Sequence, residues 1–151
     1  MLTINEYRKV ESLEEAYELN QKKNNKIIAG GVWMKIGDRR IATAIDLSGL
    51  GLDQITETDT EFVIGAMTTL REIEKHAGLA AYTDGAIRES VRHIVGVQFR
   101  NCATVGGSIF GRFGFSDVLT VFLAMDTQVE LYHAGMVSLK EFIDMPYDND
   151  I

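Results

Sequence analysis

Two pairs of adjacent glycines carry the clearest chemical signal in this 151-residue sequence. Gly30-Gly31 and Gly106-Gly107 each follow a short apolar run, so each pair is predicted to lie at the end of a strand. Because glycine has no Cβ, its backbone amide is accessible, and neighbouring amides can converge on one anionic oxygen. The pairs therefore indicate a site for a phosphate or pyrophosphate. Two tight turns without a ligand are the plainer alternative.

Polar side chains accompany the second pair. Thr104 and Ser108 flank it with hydroxyl groups that can donate to a phosphate, and Ser116-Asp117 follows at the predicted start of a helix. The Asp117 carboxylate can accept from sugar-like hydroxyls or can simply favour the helix dipole, and the spacing alone favours the second interpretation. Neither glycine pair fits the P-loop pattern or the G-x-G-x-x-G pattern, so those two nucleotide folds are disfavoured.

The remaining reactive side chains form no catalytic set. Cys102 is predicted to be a small buried hydrophobe, because no base is placed beside it. Phe113 and Phe115 beside a glycine are typical of core positions, and contact with a planar ligand ring is the alternative. Trp33 is either a lid over a ligand or a core anchor. The histidines lack metal-ligand spacing and are predicted to be surface or helix-capping residues: His76, His93 and His133.

The composition excludes several classes of protein. Hydrophobic residues make up 46% of the chain and charged residues 25%, which is typical of a folded globular protein. The net charge of -7 disfavours nucleic-acid binding. No apolar run predicts a membrane span or a signal peptide, so we expect a cytoplasmic protein. One cysteine excludes an internal disulfide and an iron-sulfur site within this chain, and no metal site is predicted.

Helix and strand signals alternate along the chain. Capping boxes are predicted at residues 12–15 and 69–72, where a hydroxyl precedes a glutamate by three positions. The pattern divides into a small α/β unit, residues 1–53, and a second unit, residues 54–151. The predicted helices are 12–22, 84–95, 117–125 and 139–143, and the predicted strands are 26–29, 41–47, 61–66 and a hairpin within 127–139 with its turn at 133–135.

Three segments, in the same order, resemble the FAD-binding medium subunit of molybdenum hydroxylases such as xanthine dehydrogenase and carbon monoxide dehydrogenase. They are I-A-G-G at residues 28–31, I-G-A-M-T-T-L at residues 64–70, and R-N-C-A-T-V-G-G-S-I at residues 100–109, the last followed by Ser116-Asp117 and by L-A-M-D at residues 123–126. The R-N-x-A-T-V-G-G segment is the most specific of the three. The resemblance covers essentially the whole chain.

The resemblance implies an α+β, two-subdomain FAD-binding fold, with a small α/β unit followed by a larger unit that has an antiparallel sheet and helices. The two glycine segments would bind the pyrophosphate of FAD, Ile94 would give an apolar contact, and Asp117 would lie near the flavin. The cofactor-binding residues implied are Ile27, Ile28, Ala29, Gly30, Gly31, Val32, Trp33, Met34, Ile94, Ala103, Thr104, Gly106, Gly107, Ser108, Ser116 and Asp117.

The same resemblance implies a function. The chain would be the flavoprotein electron-transfer subunit of an oxidoreductase of the xanthine dehydrogenase type, within a hetero-oligomer. Molybdopterin and two [2Fe-2S] clusters would lie on partner subunits, and electrons would pass from the clusters to FAD and then to NAD⁺ or another acceptor.

Departures from the family pattern keep alternatives open. Val32-Trp33 replaces a small polar pair such as Thr-Asp, which removes a hydroxyl that can bind phosphate, and residues 112–115 replace the usual Ala-x-Pro. The acidic stretch 145–151 ends about where the family's C-terminal domain would begin, so we expect either a fragment or a minimal form. The alternatives are a non-catalytic assembly module that has lost flavin, and a regulator that binds a small phosphorylated ligand.

Overall fold

The computed structural model of the protein describes residues 1–147, so the end of the acidic stretch, residues 148–151, lies outside the described residues. The chain forms two compact units. The first consists of residues 1–28, 33–50 and 122–151, and the second of residues 29–32 and 51–121. The units are interleaved in sequence, whereas the predicted division into 1–53 and 54–151 is continuous. As a description of domains, that division stays a prediction.

The first unit contains a three-stranded parallel sheet. Its strands are β1, Thr3–Lys9, β2, Lys26–Ile28, and β3, Arg40–Asp46, in the order β1-β3-β2. β3 is central and mostly buried, as expected for a parallel strand rich in apolar residues, and it pairs Ile4 with Ile41 and Ile27 with Ile45. β1 was not predicted, because its residues are all exposed and show no apolar alternation.

Helix α1, Leu13–Asn20, confirms the predicted helix after Ser12. The Ser12 hydroxyl accepts a hydrogen bond from the Glu15 amide at 3.0 Å. The expected return bond differs, because the Glu15 carboxylate accepts from the Glu11 amide at 2.9 Å and pairs with Arg8. Ser12 therefore forms only the first hydrogen bond of a capping box. In place of the second, the Glu15 carboxylate binds the amide one residue before Ser12.

A hairpin and a short helix complete the first unit. Strands β6, Gln128–Leu131, and β7, Gly135–Ser138, are antiparallel, and Ser138 then caps helix α8, Leu139–Asp144. The predicted hairpin and helix are confirmed. The apolar core residues in this unit are Val10, Ala16, Ile41, Ala44, Ile45, Leu47, Phe122, Leu139 and Phe142.

The second unit is mainly helical. It holds a two-stranded antiparallel sheet, β4, Ile55–Glu57, with β5, Phe62–Ile64. The helices are α2, Leu70–Lys75, α3, Ala77–Tyr82, α4, Ala86–Arg92, α5, Val97–Arg100, and α6, Val105–Phe110, while α7, Asp117–Leu123, continues into the first unit. The main buried apolar residues of this unit are Leu70, Ile73, Leu79, Ile87, Val91, Val105, Val118 and Leu119.

The predicted mixture of helices and strands is confirmed, and the second capping box is confirmed in both directions at Thr69 and Glu72. One prediction is wrong. Gly106-Gly107 does not follow a strand but lies in the first turn of α6, which Thr104 caps. None of the helices within residues 1–147 has the length and apolar character needed to cross a membrane.

Candidate functional site

The first glycine pair packs against the backbone of the chain just before the second pair. A Cβ placed on Gly30 would lie 1.8 Å from the carbonyl oxygen of Cys102 and 3.1 Å from the amide nitrogen of Ala103. Contacts that short do not occur between real atoms, so only glycine fits at this position. The structure thus brings residues 29–32 and 102–107 together within the second unit.

The amides of the first pair are available to a ligand. Among residues 1–147, no acceptor receives a hydrogen bond from the backbone N–H of Gly30, Gly31 or Val32. Gly31 adopts the left-handed conformation, φ +66°. Consecutive amides around a left-handed residue can form a concave anion site, and a half-buried N–H without a partner favours a ligand that accepts from it.

The amides of the second pair are already satisfied. Gly106 donates to the Ala66 carbonyl at 3.0 Å, and Gly107 donates to the Thr104 hydroxyl oxygen at 3.1 Å. The Ser108 hydroxyl, expected to be a phosphate donor, instead donates to the Thr104 carbonyl at 2.8 Å. These groups are therefore not free donors for a phosphate in this conformation.

Gly106 and Gly107 differ in the space around them. A Cβ on Gly106 would lie 2.6 Å from the carbonyl oxygen of Ala66, so this glycine permits close backbone packing. Gly107 is exposed, and a Cβ there would meet only the Thr104 hydroxyl at 3.1 Å and the Ala29 methyl at 4.0 Å. Gly107 thus borders the first glycine segment and keeps the space beside it open.

The start of α2 fixes the chain around the second pair. Leu70 donates from its amide to the Ala103 carbonyl at 2.9 Å, and Val105 donates to the Thr68 carbonyl at 2.8 Å. Thr69 and Thr104, each a helix cap, also form an isolated antiparallel bridge. Backbone hydrogen bonds therefore join residues 66–70 to residues 103–106 as a short ladder.

A buried ion pair supports the same region from the other end of α2. Glu74 accepts from Arg100 Nε and from Arg71 Nη1, both at 2.8 Å, and the side chains of Arg100 and Glu74 are only 7% and 9% exposed. Burial raises the pKa of Glu74, but the hydrogen bonds and charges of the two arginines outweigh burial and lower the pKa overall. Glu74 is therefore ionised at neutral pH.

Sequence reasoning missed this ion pair. The available signal was Glu74 itself, because it lies four residues after Leu70 and next to Ile73, just beyond the capping box predicted at residues 69–72. A charge on the apolar face of a helix started by that box requires a buried partner. The partner could not be named from the sequence, because Arg100 is distant along the chain.

The remaining predicted site residues lie in several places. Ile94 lies between α4 and α5, half-buried, and Asp117 is the exposed first residue of α7. Ser116 caps that helix by accepting from the Leu119 amide at 3.2 Å, as predicted. The others belong to the first unit, where Ile27 and Ile28 lie on β2 and Trp33 precedes a 3₁₀ turn that contains Met34.

Two predictions of buried side chains are wrong, and one alternative for Trp33 is removed. Cys102 is exposed and not buried. Phe113 and Phe115 are exposed instead of filling the core, and their rings stack with centroids 5.2 Å apart. Trp33 is 53% exposed, which removes the core-anchor alternative.

The histidine prediction is confirmed for His76, whose Nδ1 accepts from the Leu79 amide and caps α3. His93 and His133 are exposed. Within the described part of the chain, no group of three or more histidine, cysteine, aspartate or glutamate residues is arranged to hold a metal ion.

Comparison with known proteins identifies the family of the chain. Residues 3–151 match the model of the family described as "FAD binding domain in molybdopterin dehydrogenase". The uncharacterized protein YgfM of Escherichia coli strain K12 is 28% identical to the chain over 153 aligned positions, which cover 96% of the chain and 56% of YgfM.

Solved structures of two carbon monoxide dehydrogenases and of a quinoline oxidoreductase are also similar. Carbon monoxide dehydrogenase from Hydrogenophaga pseudoflava is 26% identical, with a TM-score of 0.81 over 91% of this chain and 51% of that one. Reconstituted CO dehydrogenase from Oligotropha carboxidovorans is 25% identical, with a TM-score of 0.77 over 91% of this chain and 51% of that one. Quinoline 2-oxidoreductase from Pseudomonas putida 86, at 20% identity over 97% of this chain and 54% of that one, shares the fold with a TM-score of 0.80. The chain spans about half the length of these relatives.

Proposed function

The chain belongs to the family of FAD-binding domains in molybdopterin dehydrogenases, and on that premise we propose that residues 29–32 bind the pyrophosphate of FAD. The observation that supports this most is the set of amides at Gly30, Gly31 and Val32, which donate to no acceptor within residues 1–147. A pyrophosphate offers anionic oxygens to consecutive amides of this kind.

The two glycine pairs have different roles in this proposal. The first supplies the donors. The second holds residues 103–107 against Ala66, so that Gly30 can rest on the Cys102 carbonyl and Gly107 can leave room for the cofactor. Ile94, Ser116 and Asp117 are proposed to contact the flavin and ribityl parts. Ile27, Ile28, Trp33 and Met34 of the first unit also stay proposed as cofactor contacts.

FAD supplies reversible one- and two-electron chemistry when it is bound, while the protein binds and orients it. We propose that the chain serves as the electron-transfer subunit of a molybdenum hydroxylase. Iron-sulfur and molybdopterin-binding subunits would be its partners, and NAD⁺ or another acceptor would receive its electrons. The complex would be of the xanthine dehydrogenase type and would lie in the cytoplasm. The similarity to two carbon monoxide dehydrogenases supports this proposal.

FAD titration combined with hydrogen exchange tests the proposed site. Purified 151-residue protein is titrated with FAD while flavin fluorescence is followed, and amide exchange is then measured with and without FAD. We expect saturable binding and new protection at residues 30–32, with little change at residues 105–108, whose amides are bonded already. Competition with ADP and FMN separates an FAD site from a site for any small phosphorylated ligand.

Absence of FAD binding, or protection confined to other segments, would contradict the proposal. Absence of binding would favour the alternative function, an assembly module that has kept the fold and lost the cofactor. That alternative is motivated by Val32 and Trp33, which stand where the resemblance implies a small polar pair such as Thr-Asp. Retention of the partner subunits by a flavin-free protein would then support it.

A further inference from the structure

Val95 forms an unusual corner between α4 and α5. Its φ angle is +48°, in the left-handed region that a β-branched residue strongly disfavours. Its side chain is 80% exposed, so side-chain packing does not hold the residue in this conformation. A strained backbone of this kind persists only where its surroundings fix it.

Arg100 makes hydrogen bonds on both sides of this corner. Its backbone amide donates to the Gly96 carbonyl at 3.1 Å, and its side-chain Nη1 donates to the Ile94 carbonyl at 3.1 Å. The residues before and after Val95 are therefore bonded to the same arginine. The planar guanidinium can do this while its Nε binds Glu74, because its donors point in fixed and different directions.

Arg100 also leads directly into the second glycine segment. It is the last residue of α5, and the chain continues through Asn101 to Ala103, whose carbonyl accepts from Leu70 on α2. Glu74, on the same helix, holds the guanidinium. One buried ion pair thus connects the Val95 corner, helix α2 and residues 101–106.

We propose that Arg100, held by Glu74, is a positioning residue for the flavin: it fixes the strained Val95 corner, and so the place of Ile94 relative to the glycine segments. This inference rests on the proposed FAD site. It assigns to the arginine a role beyond stabilising the fold, because the arginine sets the geometry of a corner whose own side chain contributes no packing.

Arg100→Lys tests the proposal, since lysine keeps the charge but has one nitrogen in place of three and cannot serve Glu74 and the Ile94 carbonyl together. Arg92→Lys is the matched control, because Arg92 also binds a glutamate at 2.8 Å but is exposed and lies outside the corner. The measurements are FAD affinity by fluorescence titration, visible circular dichroism of the bound flavin, and the unfolding temperature.

We expect Arg100→Lys to weaken FAD binding by about tenfold and to alter the flavin dichroism, since a buried charge-assisted hydrogen bond is lost. Arg92→Lys should change neither. Val95→Asn, placed in the Arg100→Lys protein, should restore the affinity to within about threefold, because asparagine tolerates the left-handed conformation without an external support.

Wild-type affinity and dichroism in Arg100→Lys would overturn the proposal while leaving the FAD site in place. If the wild-type protein did not bind FAD, the proposed function itself would be overturned. Should Arg100→Lys unfold, the double variant decides the matter: a folded double variant that binds FAD supports the proposal, and a folded one that binds none contradicts it.

Discussion

The two glycine pairs look alike in sequence and do opposite things in the structure. At Gly30-Gly31 the amides donate to no acceptor within residues 1–147, and one glycine is left-handed. At Gly106-Gly107 both amides have acceptors, inside a capped helix. The first pair can therefore bind an anionic ligand, whereas the second allows close packing of the backbone.

This difference separates two uses of glycine that a motif does not distinguish. One use leaves donors exposed to a ligand, and the other lets two backbones approach each other. Gly30 combines both, because it carries an available amide and also rests on the Cys102 carbonyl. Substitutions at Gly30, Gly106 and Gly107 should therefore separate loss of binding from loss of stability.

The largest effect is expected at Gly30. Gly30→Ala places a methyl group 1.8 Å from the Cys102 carbonyl oxygen, so the first glycine segment must move away from the second. We expect FAD affinity to fall by about a hundredfold or more, on the scale of 1.4 kcal/mol per factor of ten. Gly37→Ala, where the nearest atom would be 3.8 Å away, is the control in the titration. Equal affinities in the two variants would refute the close approach.

Gly106→Ala should act mainly on stability. The new methyl group would meet the Ala66 carbonyl at 2.6 Å, and overpacking of this kind typically costs about 1–3 kcal/mol. Chemical denaturation measures the loss. Gly107→Ala serves as control, since its Cβ would meet the Thr104 hydroxyl oxygen only at 3.1 Å, against 2.6 Å for Gly106 and the Ala66 carbonyl, and alanine favours the helix by about 0.5–1 kcal/mol. If Gly107→Ala were the more damaging of the two, the packing role of Gly106 would be wrong.

Gly107→Val should show the reverse balance. The branched side chain would enter the open space beside Ala29, so we expect FAD affinity to fall about tenfold while the free energy of unfolding changes by less than about 1 kcal/mol. Titration and denaturation are run on the same preparation. Ser108→Ala should bind FAD nearly normally, because its hydroxyl is already bonded within the helix. Undiminished binding by Gly107→Val would remove the second pair from the site.

The smallest effect is expected at Val32. Val32→Thr restores a hydroxyl beside the available amides and should strengthen FAD binding by about 0.5–1.5 kcal/mol, the usual contribution of one hydrogen bond. Val32→Ala has no hydroxyl and controls for the change in size. Unchanged affinity in Val32→Thr would show that the departure from the family pattern at this position has no bearing on the cofactor.

Much of the fold followed from local patterns. The helix starts at Ser12, Thr69 and Ser116 were predicted correctly, because a cap depends on residues only three positions apart. The hairpin within 127–139 was also predicted, because its alternating residues and its turn lie in one short stretch of sequence. β1 was missed because its residues are exposed, and α6 was missed because a helix containing two glycines contradicts intrinsic propensity.

The candidate site was predicted only in part. Sequence reasoning selected both glycine pairs and the hydroxyl groups beside the second pair, but it treated Ser108 as a donor to a ligand and Cys102 as buried. The structure corrected both, since the exposure of a side chain and the acceptor of a hydroxyl depend on the surrounding fold. For the Glu74–Arg100 pair, the sequence indicated only Glu74, as an acidic residue on an apolar helix face, and did not identify its partner.

The sequence by itself determined where most helices and strands begin and end, because those boundaries depend on near neighbours. It also indicated which glycines are needed for binding or packing, because glycine has no Cβ. Only the tertiary structure decided which glycine pair keeps its amides available. The backbone amides of Val105 and Gly106 donate to the carbonyls of Thr68 and Ala66, which belong to a segment distant along the chain. No local pattern specifies that pairing, because it exists only once residues 66–68 lie beside residues 105–106.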